Sequence, residues 1–573
     1  MTKTGSAMVL TGLLGFCFVY VSAIGQPTRD SDGATANRPF SPVAFGQFEY
    51  SGEDITATSE LEPGYFRNPI LAGFHPDPSI CRAGDDYYLI NSTFSYFPGL
   101  PIFHSKDLVN WKQIGHVIHR PEQLEYTTRR TSGGLFAPAI TYNEEQELFY
   151  VICTMIDGIG NFVVTAEDPA GPWSDPVRLR FGGIDPSIFF DDDGRAWIVH
   201  NDGPQGPPQY EGHRAVWIQE FDYKNMRMVG PRTMLIDGGV DITTKPIWIE
   251  GPHIYKRDGW YYLCCAEGGT SVNHAQVIFR SRNVDGPYTP GENNPILTQR
   301  DLSANVPGSV SCTGHASLVV GPDGNWWSVF LAVRPYDGHH SPMGRETFLL
   351  PVSWPENDWP MILPQGKRVP LVLKAPEGVV ARPSVLNGSF TWRDEFKDQM
   401  LSHEWIMLRA PREQWWTIDP AAGELKLTPR SDTLSGRGNP SYLGRRVRHA
   451  AYSAALTAEV PSDEGVSAGL ALFFNDYHHF FLALQRDGGK GRIYLERVNR
   501  GRTSRVAAAD LPSAGQIELR VVADKAACTF QYRAKGGDWQ TLVADTDATM
   551  ISYTVQDGLF LGATVGPYVR LDE

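Results

Sequence analysis

The chain has 573 residues, too many for one ordinary hydrophobic core, and its 42% apolar and 12% aromatic content belongs to a folded protein rather than a disordered one. A formal net charge of −14 argues against a nucleic-acid partner, which calls for a basic face, and against an anionic membrane surface. A neutral partner suits this balance better.

At the N-terminus Lys3 precedes an apolar run from about Met8 to Ala23, and the small residues Ala23 and Gly25 stand before Gln26. This is the pattern of a secretory signal peptide over residues 1–25, with an uncleaved anchor as the alternative. No later run is long and apolar enough to span a membrane, so none is expected after cleavage. Of the seven cysteines, six would remain: Cys81, Cys153, Cys264, Cys265, Cys312 and Cys528. Outside the cell some of them could pair. Cys264 and Cys265 would face opposite sides of a strand, and no cysteine spacing fits a zinc site. Two sequons occur, at Asn91 and Asn387. Asn91 ends an apolar run, so Asn387 is the better glycan acceptor.

Residues 26–62 are polar and rich in small side chains, and they read as a flexible leader. A self-similar pattern then begins. The segments "DPSICRAGDDYYLINST", "APAITYNEEQELFYVICTM", "DPSIFFDDDGRAWIVHN", "EGPHIYKRDGWYYLCCAEGG" and "GHASLVVGPDGNWWSVFLAV" start at 77, 137, 185, 250 and 314. Each is a short strand, a turn rich in Gly, Asp or Asn, and an aromatic strand. A hairpin recurring at such a period is a propeller blade, so residues 63–355 are expected to form a five-bladed β-propeller. Residues 356–390 are proline-rich and read as a linker crossing back over a domain surface. Residues 391–573 alternate apolar and polar residues between turns, the pattern of an antiparallel β-sandwich, concanavalin- or jelly-roll-like. The expected fold class is all-β.

In a propeller the residue opening each repeat lies near the axis, so Asp77, Asp185 and Glu250 should converge. Asp-Pro on its own often caps a turn. Three carboxylates in phase with the repeats are a different matter, because clustered like charges persist only where chemistry or a metal needs them. Two carboxyl groups with separated pKa values give one acid and one base, the pair used in glycoside hydrolysis.

The blocks "NPILAGFHPDPSI", "STFSYFPGLPIFHSKDLVNW", "GGIDPSIFFDDDG", "WIEGPHIY", "TGHASLV" and "GRETFLLPV", in this order, closely resemble glycoside hydrolase family 43. The likeness is greatest to its β-xylosidases and α-L-arabinofuranosidases with a C-terminal sandwich. It implies that Asp77 is the general base, Glu250 the general acid, and Asp185 the carboxylate that orients the acid and keeps its pKa raised. It also implies inversion, with base and acid roughly 6.5–9.5 Å apart. Arg345 matches an arginine near the sugar, and Phe94 and Phe136 match pocket aromatics, although many relatives carry Trp at the position of Phe136. His315 matches a channel histidine that in some members lies beside bound calcium. No organic cofactor is implied.

The resulting expectation is a secreted, exo-acting enzyme that removes non-reducing-end pentoses from xylan- or arabinoxylan-derived chains, its partner being the carbohydrate itself. Xylose versus arabinose stays open. An endo-arabinanase of the same fold and a non-catalytic sugar-binding propeller are the alternatives. Three further patterns are read as chemically silent: "GVSAG" around Ser467, which lacks a strand–turn–helix context, the acidic turn Asp191 to Asp193, and the pairs His339-His340 and His478-His479.

Overall fold

The computed structural model describes residues 40–54, 61–126, 129–511, 515–555 and 560–572. The expected signal peptide lies outside them. Among the described residues the only helical pieces are two short 3₁₀ turns, and no helix is long and apolar enough to cross a membrane.

Five antiparallel sheets form the propeller. Their innermost strands are Ser79–Ala83, Gly134–Asn143, Ile184–Phe190, Glu250–Arg257 and Ser311–Val320. Each packs against the next, and the fifth packs against the first, which closes the ring. Serines of the repeat staple adjacent blades. The Ser79 hydroxyl accepts from Ile140 N (3.1 Å), Ser187 donates to Pro252 O (2.6 Å), and Ser317 accepts from Ile80 N (3.3 Å).

The position after which each repeat continues Pro-Ser, or its equivalent, is occupied by Asp77, Ala137, Asp185, Gly251 and His315. All five have positive φ, at 50°, 33°, 54°, 56° and 52°. In the last four blades the strand register slips at this point. A bulge with a left-handed residue turns the innermost strand and aims that side chain toward the axis. Such a conformation is costly for residues other than glycine and is typically kept at functional sites. Glu250 therefore does not share the phase of the two aspartates. It stands one residue earlier, and its counterparts are Pro76, Phe136, Ile184 and Gly314. The bulge residue of the fourth blade is Gly251, where an added Cβ would lie 2.9 Å from His315 Nε2.

Ring closure sets the first repeat. The stretch from Ile70 runs antiparallel to Glu346–Val352 of the fifth blade, with Ile70 N donating to Thr347 O (2.9 Å) and His75 N to Arg345 O (3.0 Å). This brings Asp77 beside Arg345 across 268 residues of sequence.

The proline-rich stretch does cross back over the propeller, where Val372–Lys374 pairs with Tyr65–Arg67. The sandwich consists of an eight-stranded and a seven-stranded sheet. Its eight-stranded sheet includes Val43–Glu53, between Ala451–Glu459 and Glu424–Leu427. Part of the expected flexible leader is thus a strand. Phe45, Phe48 and Tyr50 bury their rings there, inside a segment whose Gly and Ser content hides the alternation.

All six described cysteines are buried, and Cys81, Cys153, Cys264, Cys265 and Cys528 are free thiols. Cys264 and Cys265 do face opposite ways, into two separate apolar clusters. Asn91 is fully buried, its amide donating to His75 O, Pro76 O and Thr347 Oγ1, so its sequon is closed to a glycan.

Candidate active site

Asp77, Phe94, Phe136, Asp185, Glu250, His315 and Arg345 line one cavity of about 290 Å³ at the mouth of the ring. Every site residue expected from the sequence is therefore brought together.

Asp77 is 6% exposed and has both oxygens occupied. Arg345 Nη1 donates to Oδ1 at 2.7 Å, and the Ser92 hydroxyl donates to Oδ2 at 2.6 Å. The Ala137 N–H donates to Ser92 Oγ at 2.7 Å, which commits the hydroxyl proton to the carboxylate. His315 Nδ1 lies 3.9 Å from Oδ1. Burial alone would raise the pKa of Asp77, but Arg345, His315, the Ser92 hydrogen bond and His274 outweigh it and hold the group below its ordinary value.

Glu250 is in the opposite condition. Burial, then the neighbouring charges of Asp185 and Asp77, push its pKa well above the ordinary value, and Arg345 and Arg214 only partly offset this. Asp185 is pushed up to about 6, chiefly by burial, with His315 opposing and Asp77 adding to the rise. The Gly251 N–H also hydrogen-bonds Asp185, tying the third carboxylate to the residue after the glutamate. One ionised and one protonated carboxyl group thus face a common space.

Four further contributors were assigned no role from the sequence, although Ser92 and Trp248 open two of the quoted blocks. Ser92 and Thr270 hold Asp77 and Arg345 respectively, with Arg345 Nη1 donating to Thr270 Oγ1 at 3.2 Å. Trp248 lines the wall two residues before Glu250. Phe560 comes from the sandwich. Its ring is stacked with Phe94 (5.7 Å between centroids) and lies 5.7 Å from Phe136, and Arg345 sits 5.2 Å over it. The sandwich also reaches the site from behind, since Arg446 Nε donates to Phe74 O at 2.9 Å, three residues before Asp77.

Among the described residues no group of three or more His, Cys, Asp or Glu could hold a metal ion. Calcium takes six to eight oxygen ligands.

The silent patterns have structural roles. Ser467 lies within Val466–Asn475, bonded to Tyr494 and Asp572. Asp191 is held by Lys256 and Tyr261.

A five-bladed ring that gathers three carboxyl groups in one cavity, Asp77 with its pKa held low and Asp185 and Glu250 with theirs raised, has the layout of a glycoside hydrolase. The comparisons agree. The family model described as glycosyl hydrolases family 43 matches residues 66–360, and that of the beta xylosidase C-terminal concanavalin A-like domain matches 393–570. A xylosidase/arabinosidase of Butyrivibrio fibrisolvens is 38% identical over 507 residues, 87% of this chain and 95% of that protein. A non-reducing end alpha-L-arabinofuranosidase of Bacteroides ovatus is 35% identical over 526 residues, 89% and 92% of the two chains. Among solved structures, a family 43 protein retrieved from capybara gut metagenome superposes with TM-score 0.87 at 40% identity, over 92% of this chain and all of that one. A xylan beta-1,4-xylosidase of Bacillus halodurans does so with TM-score 0.77 at 31% identity, over 88% and 96%. The chain belongs to glycoside hydrolase family 43.

Proposed function

We propose that this enzyme removes single pentoses from the non-reducing ends of xylan- or arabinoxylan-derived oligosaccharides, as a β-xylosidase, an α-L-arabinofuranosidase or both, with inversion. The observation that carries the mechanism is the split between Asp77, held ionised, and Glu250, held protonated, across one cavity. Asp77 accepts a proton from water as the oxygen attacks the anomeric carbon. Glu250 gives its proton to the glycosidic oxygen as the C–O bond breaks. Solvent then restores both groups. Asp185 supplies negative charge that keeps Glu250 protonated until the leaving oxygen demands the proton.

The small cavity of about 290 Å³, walled on one side by Phe560 of the sandwich, favours exo action. The relatives' names support the choice of pentosides. The signal-like N-terminus supports secretion, where such polymers are met. No cofactor enters the scheme.

The test is hydrolysis of 4-nitrophenyl β-D-xylopyranoside and α-L-arabinofuranoside, with NMR of the first-formed product from an arabinoxylan fragment. The expected result is turnover of at least one substrate and release of the inverted anomer. Turnover of neither overturns the substrate assignment, a retained anomer overturns the mechanism, and multi-sugar products from linear arabinan mark an endo enzyme.

A further inference from the structure

The two aspartates are each 6% exposed, whereas Glu250 is only half-buried, so the cavity has a deep end and a shallow end. A general acid touches the leaving oxygen by definition. Whatever surrounds Glu250 on its solvent side therefore meets the sugar that departs. Among the candidates are Ile247, 40% exposed, and Trp248, half-buried, which line the cavity three and two residues before Glu250, and half-buried Arg214, whose charge bears on Glu250.

The segment from Gly238 to Trp248 that carries this surface is firmly fixed. Gly238 N donates to Arg214 O (2.9 Å), Trp248 N to Gly212 O (2.9 Å) and Gly268 N to Ile247 O (2.8 Å). The Tyr210 hydroxyl lies within hydrogen-bonding distance of Gly238 O (3.2 Å) and Pro246 O (2.8 Å). The carboxylate of Glu267, buried and unused by the chemistry, accepts from Val240 N at 3.2 Å. Trp248 itself is held at φ 52°. The Arg214 guanidinium lies 4.1 Å over the Trp248 ring and makes no ion pair or side-chain hydrogen bond among the described residues. Arg214 is also near enough to bear on the ionisation of Glu250. A cation with unused donors, stacked on a rigidly held tryptophan beside the acid, has the chemistry of a sugar platform: a flat apolar face for C–H groups and a planar fork for paired hydroxyls.

We propose that Trp248 and Arg214 form the subsite for the leaving sugar and set the enzyme's preference for an oligosaccharide over a pentoside with a small leaving group. This rests on the pentosidase reading above. The test compares kcat/KM for a pentose disaccharide with kcat/KM for the methyl pentoside of the same sugar, in the wild type, Arg214→Gln, Arg214→Lys and Trp248→Ala.

The expected result is a disaccharide-to-methyl ratio that falls about tenfold in Arg214→Gln and in Trp248→Ala, the scale of losing a bonded or stacked substrate group. Arg214→Lys keeps the charge without the fork and should fall between wild type and Arg214→Gln. Inhibition by the free pentose, which fills only the deep end, should shift by less than about threefold. A ratio that stays within about twofold of wild type in all variants overturns the proposal, as does an equal fall for both substrates. Failure of the wild type on every pentoside overturns the pentosidase reading instead, before any variant is made.

Discussion

The hydroxyl of Ser92 lies 2.6 Å from Asp77 Oδ2, and its own oxygen is occupied by the Ala137 N–H. A neutral side chain from the first blade, fixed by the backbone of the second, thereby helps keep Asp77 charged.

Ser92→Ala removes a hydrogen bond that stabilises the ionised form of Asp77, so the pKa of Asp77 rises. The proposed mechanism needs Asp77 unprotonated, so the acidic limb of the kcat/KM profile should move to higher pH. At the plateau the loss should be about tenfold, typical for one charge-assisted hydrogen bond. An acidic limb that does not move would mean that Ser92 only fills space.

Glu250→Gln removes the proton donor of the proposed mechanism. Hydrolysis of a disaccharide should fall by about a thousandfold or more, and of an aryl pentoside with an acidic leaving group by much less. The alkaline limb of the profile, which tracks deprotonation of Glu250, should vanish in the variant. Unchanged disaccharide turnover would remove Glu250 from its role.

The same substitution should stabilise the fold. Burial and two neighbouring carboxylates raise the folded-state pKa of Glu250. Its neutral form is therefore favoured on folding, and that contribution is complete below the unfolded-state pKa and lost as pH rises through the folded-state value. Glutamine keeps the shape without the titration. Thermal midpoints should rise by roughly 2–4 °C at pH 8 and hardly change at pH 4. A lower midpoint at pH 8 would show that the carboxylate cluster carries no strain.

Phe560→Ala opens the wall that the sandwich supplies. Removing a ring that packs on Phe94, Phe136 and Arg345 should raise KM and lower kcat, together costing about a hundredfold in kcat/KM. For the same reason, the propeller expressed without residues 391–573 should be inactive even if folded. Full activity in either case would make the sandwich a bystander.

The thiols should be inert in the native protein. Cys264 and Cys528 are each pushed up to about 12 by burial. Burial raises Cys81, Cys153 and Cys265 as well, and Cys312 is likewise buried. A colorimetric disulfide reagent at pH 8 should titrate almost none of Cys81, Cys153, Cys264, Cys265 and Cys528 until guanidinium is added, when these five react.

Much of this was legible because repeats write themselves into sequence. Asp77 and Asp185 stand in the same "DPSI" frame, and folding the repeats into a ring is enough to join them. Glu250 was found for a partly wrong reason. The bulge in each inner strand shifts side chains by one position, and a period counted in whole residues does not reveal which side of the bulge a residue occupies. Phe560 and Arg446 were not legible, since contacts between domains leave no period or motif. Nor was the strand at Val43, where small residues conceal a buried face. The buried Asn91 sequon was read correctly from its apolar run, because burial follows from local composition when the neighbours are all core.

The ring presents five backbone sockets of the same left-handed kind and fits them unequally: two aspartates, a histidine, an alanine and a glycine. A symmetric scaffold thus becomes an asymmetric reagent through side-chain choice alone. The socket at Ala137 already has the geometry that aims Asp77 and Asp185 inward. For an engineer it is a pre-formed attachment point, where a new functional group can be placed against the substrate without rebuilding any loop.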